Sequence, residues 1–160
     1  MEKLWAPWRL KYIRSKKTKG CLFCNSLQNK SKNYIILESR HSFSMLNIYP
    51  YNNGHSLISP KRHVKSFAQL KDNEALDLIR SLKNTQKLLN KVLKPEGYNI
   101  GINENESAGA GIAGHLHLHI VPRWKGDTNF MPVLNNTKII SQALDELYRQ
   151  LKRHVRPEAD

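Results

Sequence analysis

The sequence lacks any apolar run close to the roughly 18 residues that a membrane-spanning helix needs, so no helical membrane span is expected. Its opening, Met1 to Lys17, has no continuous apolar core of the kind a secretory signal carries, and the cytoplasm is the expected location. Cysteine is scarce: Cys21 and Cys24 are the only two in 160 residues, which excludes the disulfide-dense scaffold of a small secreted domain. Internal repeats and low-complexity tracts are absent, which excludes solenoids and polar disordered tracts. Acidic residues are few. The 13 Asp and Glu stand against 26 Lys and Arg, for a net charge of +13. That balance suits polyanionic partners, nucleotides or nucleic acid among them, and equally suits an ordinary solvated surface; a membrane partner is not expected.

What is present is enough for one folded domain. The length is normal for a single core, and 39% of residues are hydrophobic. Residues 1–20 form a separate arm in which Trp5, Trp8 and Tyr12 alternate with Arg9, Lys11, Arg14, Lys16, Lys17 and Lys19. Such an arm can stack on bases and hold phosphates, or pack on a partner subunit, and the second use is favoured. Residues 21–160 form the domain. Strands are expected at Tyr34–Leu37, His41–Ile48 and His55–Ser59, with the turn cluster Pro50–Gly54 between the last two. A long helix capped by Asp72 or Asn73 ends before Pro95 and Gly97. A strand at Tyr98–Asn103, a loop at Glu104–Gly114, a strand at His115–Val121 and a closing helix at Thr137–Leu151 complete the chain. Strands of this kind around one long and one C-terminal helix predict an α+β domain on an antiparallel sheet.

The chemistry concentrates in His115-Leu116-His117-Leu118-His119. Side chains alternate along a strand, so the three histidines share one face while Leu116, Leu118 and Ile120 face the core. Packing does not call for imidazoles in a row. A shared metal site is a rival use, because histidine is a common ligand. Neighbours on a flat strand face sit about 6.6 Å apart, too far for ready sharing of one ion at about 2.1 Å. Cys21 and Cys24 have the short spacing of a zinc site or of a redox pair, and no βαβ pattern surrounds them to favour a thioredoxin-like reading.

Together these residues resemble the histidine triad superfamily. The match is carried by His115-Leu116-His117-Leu118-His119-Ile120-Val121, by Gly54-His55-Ser56-Leu57-Ile58-Ser59-Pro60 upstream, and by Asn47-Ile48-Tyr49-Pro50. Leu4-Trp5-Ala6-Pro7-Trp8-Arg9, Pro122-Arg123-Trp124, Gly126-Asp127 and Asn129-Phe130 resemble its bacterial diadenosine tetraphosphate phosphorylase-like branch. The resemblance implies a nucleotide-processing enzyme. His117 would attack an α-phosphorus to form a nucleotidyl-histidine, and His119 and His55 would donate hydrogen bonds to phosphoryl oxygens. Asn47 would hold the ribose. Asn103, Ser107, Gly109 and Gly111 would contact phosphates or the leaving group, partly through backbone N–H groups. The resemblance also implies one structural zinc per chain on Cys21, Cys24, His63 and His115, no catalytic metal, and a homodimer.

Substrates of the implied class are dinucleoside polyphosphates or nucleoside phosphoramidates. A zinc-stabilised basic module that binds nucleic acid is the alternative from a different class, and it leaves the histidine row unexplained. One departure bears on the acceptor. Many hydrolytic members carry Gln-Ser or Gln-Thr where this chain has Gly111 and Ile112, which leans toward phosphate, drawn in by Arg123 and Lys125, rather than water.

Overall fold

The computed structural model describes residues 20–128 and 140–155. The basic aromatic arm therefore lies outside the described residues except for Gly20, as do Asn129 and Phe130. The chain runs through α1 (Leu22–Ser26), β1 (Ile35–Glu38), β2 (Ser42–Leu46), β3 (Ser56–Pro60), α2 (Asp72–Leu93), β4 (Gly97–Ile102), β5 (Leu118–Arg123) and α3 (Leu144–His154). Short 3-10 turns at Phe67–Gln69 and Glu106–Ala108 interrupt two of the connections. The five strands form one sheet in the order β1-β2-β3-β5-β4, antiparallel at each pairing. This is the α+β architecture expected from the sequence.

Alternation along the strands assigns the two faces. Ile36, Leu46, Ile58, Leu118 and Ile120 pack against Leu78, Leu88 and Leu89 of α2 and Leu147 and Leu151 of α3. Phe43, Met45 and Leu57 point the other way and pack with Ile35 and with Phe23 of α1. Leu57 is the register partner of His119, so the histidine side of β5 shares that second face. The two long helices bury one face, while short α1 covers only part of the other.

The local differences from expectation have physical causes. Helix α2 begins one residue after Lys71, with no side-chain cap from Asp72 or Asn73; Glu74 reaches back to accept the Lys71 N–H at 2.9 Å. Glu74 is held in place by the Arg62 guanidinium through bonds of 2.8 and 2.6 Å. The strand expected from His115 begins only at Leu118. Leu116 donates its N–H to the Val64 carbonyl at 2.7 Å, so His115 to His117 is a lead-in to the strand tied to the β3–α2 connection. The closing helix starts at Leu144, and residues 140–143 are not helical. Asp145 and Glu146 supply the acidic first turn that a helix N-terminus favours. Helix α1, five residues long, was too short for a periodic signal.

Gly54 is the tightest point of the β2–β3 turn. It sits at φ +77°, and a Cβ there would lie 2.5 Å from Leu93 Cδ1 and 3.1 Å from Pro122 Cγ. Only glycine fits both the backbone angle and the space. Gly54→Ala is expected to cost about 1–3 kcal/mol of stability. Urea unfolding checks this, and an unchanged midpoint would refute it.

Candidate active site and metal centre

His55 follows Gly54 at the entry to β3 and is 1% exposed, as is His115; His117 is 4% exposed. The His117 and His119 rings are 5.0 Å apart between centroids, and the His55 and His119 rings 5.2 Å. The hydrogen bonds assign each proton. Tyr51 donates its backbone N–H to His55 Nδ1 at 3.0 Å, and Asn47 Nδ2 lies 3.3 Å from the same nitrogen. That nitrogen therefore carries no proton, and His55 Nε2 does. His55 Nε2–H donates to His119 Nδ1 at 2.9 Å, which leaves the His119 proton on Nε2. This His119 Nε2 is buried with no partner among the described residues. A buried N–H left unpaired costs about 1–3 kcal/mol, so it marks a place where a ligand acceptor belongs. His117 Nδ1–H donates to the His115 carbonyl at 2.9 Å, leaving a lone pair on His117 Nε2. Adjacent rings thus hold complementary free atoms, one a nucleophile and one a donor.

Burial keeps these imidazoles neutral. It lowers His55 to about 3 and His119 to about 4, with repulsion from the neighbouring histidines adding to both. Burial also lowers His117, against the His115 carbonyl, which favours its protonated form. Neutral imidazole is the nucleophilic form.

A second cluster adjoins the first. Cys21, Cys24, His63 and His115 place one ligand atom each within 4.8 Å of one another. His115 Nδ1 lies 3.1 Å from Cys21 Sγ and 3.6 Å from Cys24 Sγ, and His63 Nδ1 lies 3.4 Å from Cys24 Sγ. Tetrahedral coordination with metal–sulfur and metal–nitrogen bonds of about 2.3 and 2.1 Å needs ligand spacings of about 3.4–3.8 Å. Three of the spacings lie within about half an ångström of that range and all six lie within 4.8 Å, so a small closing movement would let these four residues hold a metal ion. His115 Nε2–H donates to the Pro60 carbonyl at 2.9 Å, which turns Nδ1 and its lone pair toward the thiols. Phe23, between the two cysteines in sequence and fully buried, packs with tilted rings at 5.2 Å from His115 and 4.9 Å from His117.

The remaining predicted residues are placed less evenly. Asn47 sits beside His55, and its Oδ1 accepts the Tyr49 N–H at 2.9 Å. Asn103 directly follows β4, whose Ile102 pairs with Leu118. Ser107 lies within the 3-10 turn, and Gly109 ends it at φ +86°. The N–H groups of Ala108 and Ala110 are committed to the Asn105 carbonyl and that of Gly109 to the Glu106 carbonyl, so these three donate inside the loop. Gly111 is exposed, and Ile112 packs on the Phe23 cluster. Arg123 donates to Asp127 at 2.7 and 2.9 Å and to Asn99 at 2.6 Å, so its charge is already met. Sequence reasoning missed two residues. Phe23 gave no periodic signal, and Tyr51 read only as part of a turn. Yet the Tyr51 ring lies 4.6 Å from His55 and stacks within 11° on His119 at 6.0 Å.

His55 generates a pH dependence. In the unfolded chain it takes up a proton as pH falls through its ordinary value of 6.5; in the folded protein it stays neutral down to about 3. Acid therefore favours the unfolded chain. This contribution to stability is complete above about 6.5 and is lost progressively as pH falls toward 3. The urea midpoint is expected to drop between about pH 7 and pH 5, and to drop less in His55→Asn. Equal drops in the two proteins would remove His55 as a source.

Comparison with known proteins agrees with this geometry. The HIT domain model matches residues 28–126. An AP-4-A phosphorylase of Mycobacterium tuberculosis is 32% identical over 161 residues, covering 94% of this chain and 83% of that protein. An uncharacterised HIT-like protein of Methanocaldococcus jannaschii is 33% identical over 132 residues, covering 82% of this chain and 98% of its own length. Among solved structures, a hypothetical histidine triad nucleotide-binding protein from Sulfolobus tokodaii superposes with a TM-score of 0.67 at 27% identity, covering 83% of this chain and 87% of that one. With its antiparallel sheet and its row of histidines, the chain belongs to the HIT domain family.

Proposed function

We propose that this protein splits dinucleoside polyphosphates of the diadenosine tetraphosphate kind through a covalent nucleotidyl-histidine on His117, with inorganic phosphate as acceptor. The observation that carries this reading is the lone pair on His117 Nε2 beside the orphaned N–H of His119. His117 Nε2 attacks the α-phosphorus, the phosphorus–nitrogen bond forms, and the bond to the bridging oxygen breaks. That oxygen keeps the electron pair and leaves with the remaining nucleotide. The His119 N–H meets the charge that develops on a phosphoryl oxygen, and His55 holds His119 in the tautomer that allows it. A phosphate oxygen then attacks the same phosphorus, the phosphorus–nitrogen bond breaks, and His117 recovers its lone pair as a nucleoside diphosphate departs. Asn47 would orient the ribose, and Asn103, Ser107 and Gly111 would face the phosphates.

Phosphorolysis is supported by the AP-4-A phosphorylase relative and by the apolar Ile112, which offers no group to order a water. Arg123, paired with Asp127, contributes less to drawing phosphate than its charge suggests. The test is product analysis with diadenosine tetraphosphate, with and without phosphate. ADP plus ATP only when phosphate is present is the expected result; a phosphate-independent rate giving AMP and ATP refutes phosphorolysis. His117→Gly is expected to lower turnover at least a thousandfold, about 4 kcal/mol of barrier, while nucleotide binding persists. Turnover within tenfold of the parent removes His117 from the role.

We further propose that the metal is zinc, that the protein is a homodimer and that it works in the cytoplasm. Two sulfur and two nitrogen donors gathered within 4.8 Å are the donor set zinc prefers. Exposed Leu76 and Ile79 on α2 and Ile100 on the edge strand β4 are apolar surface that a second copy would cover. Paired free thiols suit a reducing compartment. Native mass spectrometry of protein purified without added metal should find twice the chain mass with one zinc per chain. Cys24→Ser should lose the zinc and several degrees of melting temperature. Zinc-free protein with reduced cysteines, or a single-chain mass, overturns the respective reading.

A further inference from the structure

Glu104 lies outside the histidine cluster, at the start of the β4–β5 connection. Its Oε1 accepts the Ser66 hydroxyl at 2.9 Å and its Oε2 accepts the Phe67 N–H at 2.9 Å. The same short stretch holds the far end of that connection. Val64 accepts the Leu116 N–H at 2.7 Å, and His63 joins His115 in the Cys21–Cys24 cluster. Residues 63–67 therefore grip the 105–114 loop at both ends. The grip is itself anchored. Gln69 Oε1 accepts the N–H groups of Lys65 and Ser66 at 2.9 and 3.3 Å, and Arg62 ties the stretch to Glu74 of α2 at 2.6 Å.

The backbone beyond Glu104 shows why an anchor is needed. Asn105 sits at φ 70°, ψ 165°, a region that only glycine enters readily. Side-chain-bearing residues stay there when their neighbours over-determine the angle. On one side the Glu104 carboxylate is fixed; on the other the Asn105 carbonyl accepts the Ala108 and Ala110 N–H groups, both at 3.2 Å. The turn this creates sends the chain back so that Ile112 rests on the Phe23 cluster, beside His117.

We propose that Glu104 is a positioning residue for nucleotide binding: its carboxylate, clamped by Ser66 and Phe67, sets the course of the 105–114 loop against the histidine site. The proposal rests on the proposed function for what the loop meets, but not for the clamp itself. Glu104 touches no reacting atom. Without the clamp the substrate must order the loop as it binds, so KM rises while the step on bound substrate is little changed.

The test pairs two readouts on the parent, Glu104→Ala, Ser66→Ala and the double variant. Amide hydrogen exchange at Ala108 and Ala110 should accelerate at least tenfold in Glu104→Ala, with α2 and β5 unaffected. KM for diadenosine tetraphosphate should rise about tenfold with kcat within about threefold, a change of roughly 1.4 kcal/mol in binding. Ser66→Ala, which leaves Glu104 in place, should shift both readouts in the same direction by less. The double variant should match Glu104→Ala within about twofold in both readouts, because the Ser66 bond to Glu104 is already lost there and the Ala68 N–H that Ser66 also caps lies outside the loop. Parental exchange in Glu104→Ala, or accelerated exchange with parental KM in an active enzyme, overturns the proposal. A parent that does not turn over this substrate refutes the proposed function instead, and the exchange rates then decide the clamp alone.

Discussion

The hydrogen bond from His117 Nδ1 to the His115 carbonyl fixes where that ring's lone pair lies, and His115 is the residue on which that bond depends. Its carbonyl serves His117, its Nε2–H is spent on Pro60, and its Nδ1 faces two thiols. No freedom remains in the ring or in its peptide. The metal-ligand cluster and the histidine row are therefore one construction. Phe23, carried between Cys21 and Cys24, packs on both imidazoles and closes the unit.

Burial does more here than stabilise. It holds His55 and His119 neutral well below physiological pH, so every ring in the row has a definite tautomer and a definite direction of donation. Charged imidazoles would donate from both nitrogens and lose that direction. The cost is an N–H on His119 with no partner among the described residues. A site that carries an unpaired donor beside an unprotonated nitrogen is poised for a substrate that brings its own negative oxygens. The excess of basic residues over the whole chain, +13, favours the approach of such a polyanion.

Much of this was legible from residue types and spacing. The alternation of histidine with leucine set His119 of β5 opposite the core residues Leu118 and Ile120 because period two is set by the strand itself, while His115 and His117 lie just before the strand. Asp72 to Pro95 read as a helix because its apolar positions recur at helical spacing. The 21–24 spacing and the two histidines assigned with it by resemblance converge in space as a single cluster. What escaped was whatever depends on contacts far apart in sequence. The strand could not be seen to start at Leu118 rather than His115, because the Leu116 N–H is diverted to Val64, which no local pattern reports. Helix α1 is too short to be periodic, and Tyr51 acts through a backbone N–H that every non-proline residue owns. The commitment of the Ala108, Gly109 and Ala110 amides inside their own turn is likewise invisible in a glycine-rich stretch.

Arg123 shows how a charge can be read correctly and its work misjudged. From sequence it is a cation just past the histidine strand, suited to an anion. In the fold its guanidinium spends three of its five N–H groups on Asp127 and Asn99, and Asp127 in turn accepts from Asn52 at 2.7 Å. Asn52 also donates to the Pro122 carbonyl at 3.0 Å, which pins the turn between β2 and β3 onto the end of β5. Tyr51 precedes Asn52 in that turn, and its N–H sets the tautomer of His55, which sets that of His119. The arginine is thus coupled to the chemistry through four residues and a turn, by shape rather than by field. Its pairing weakens the electrostatic pull on an incoming anion and adds a rigid support for the His55–His119 hydrogen bond.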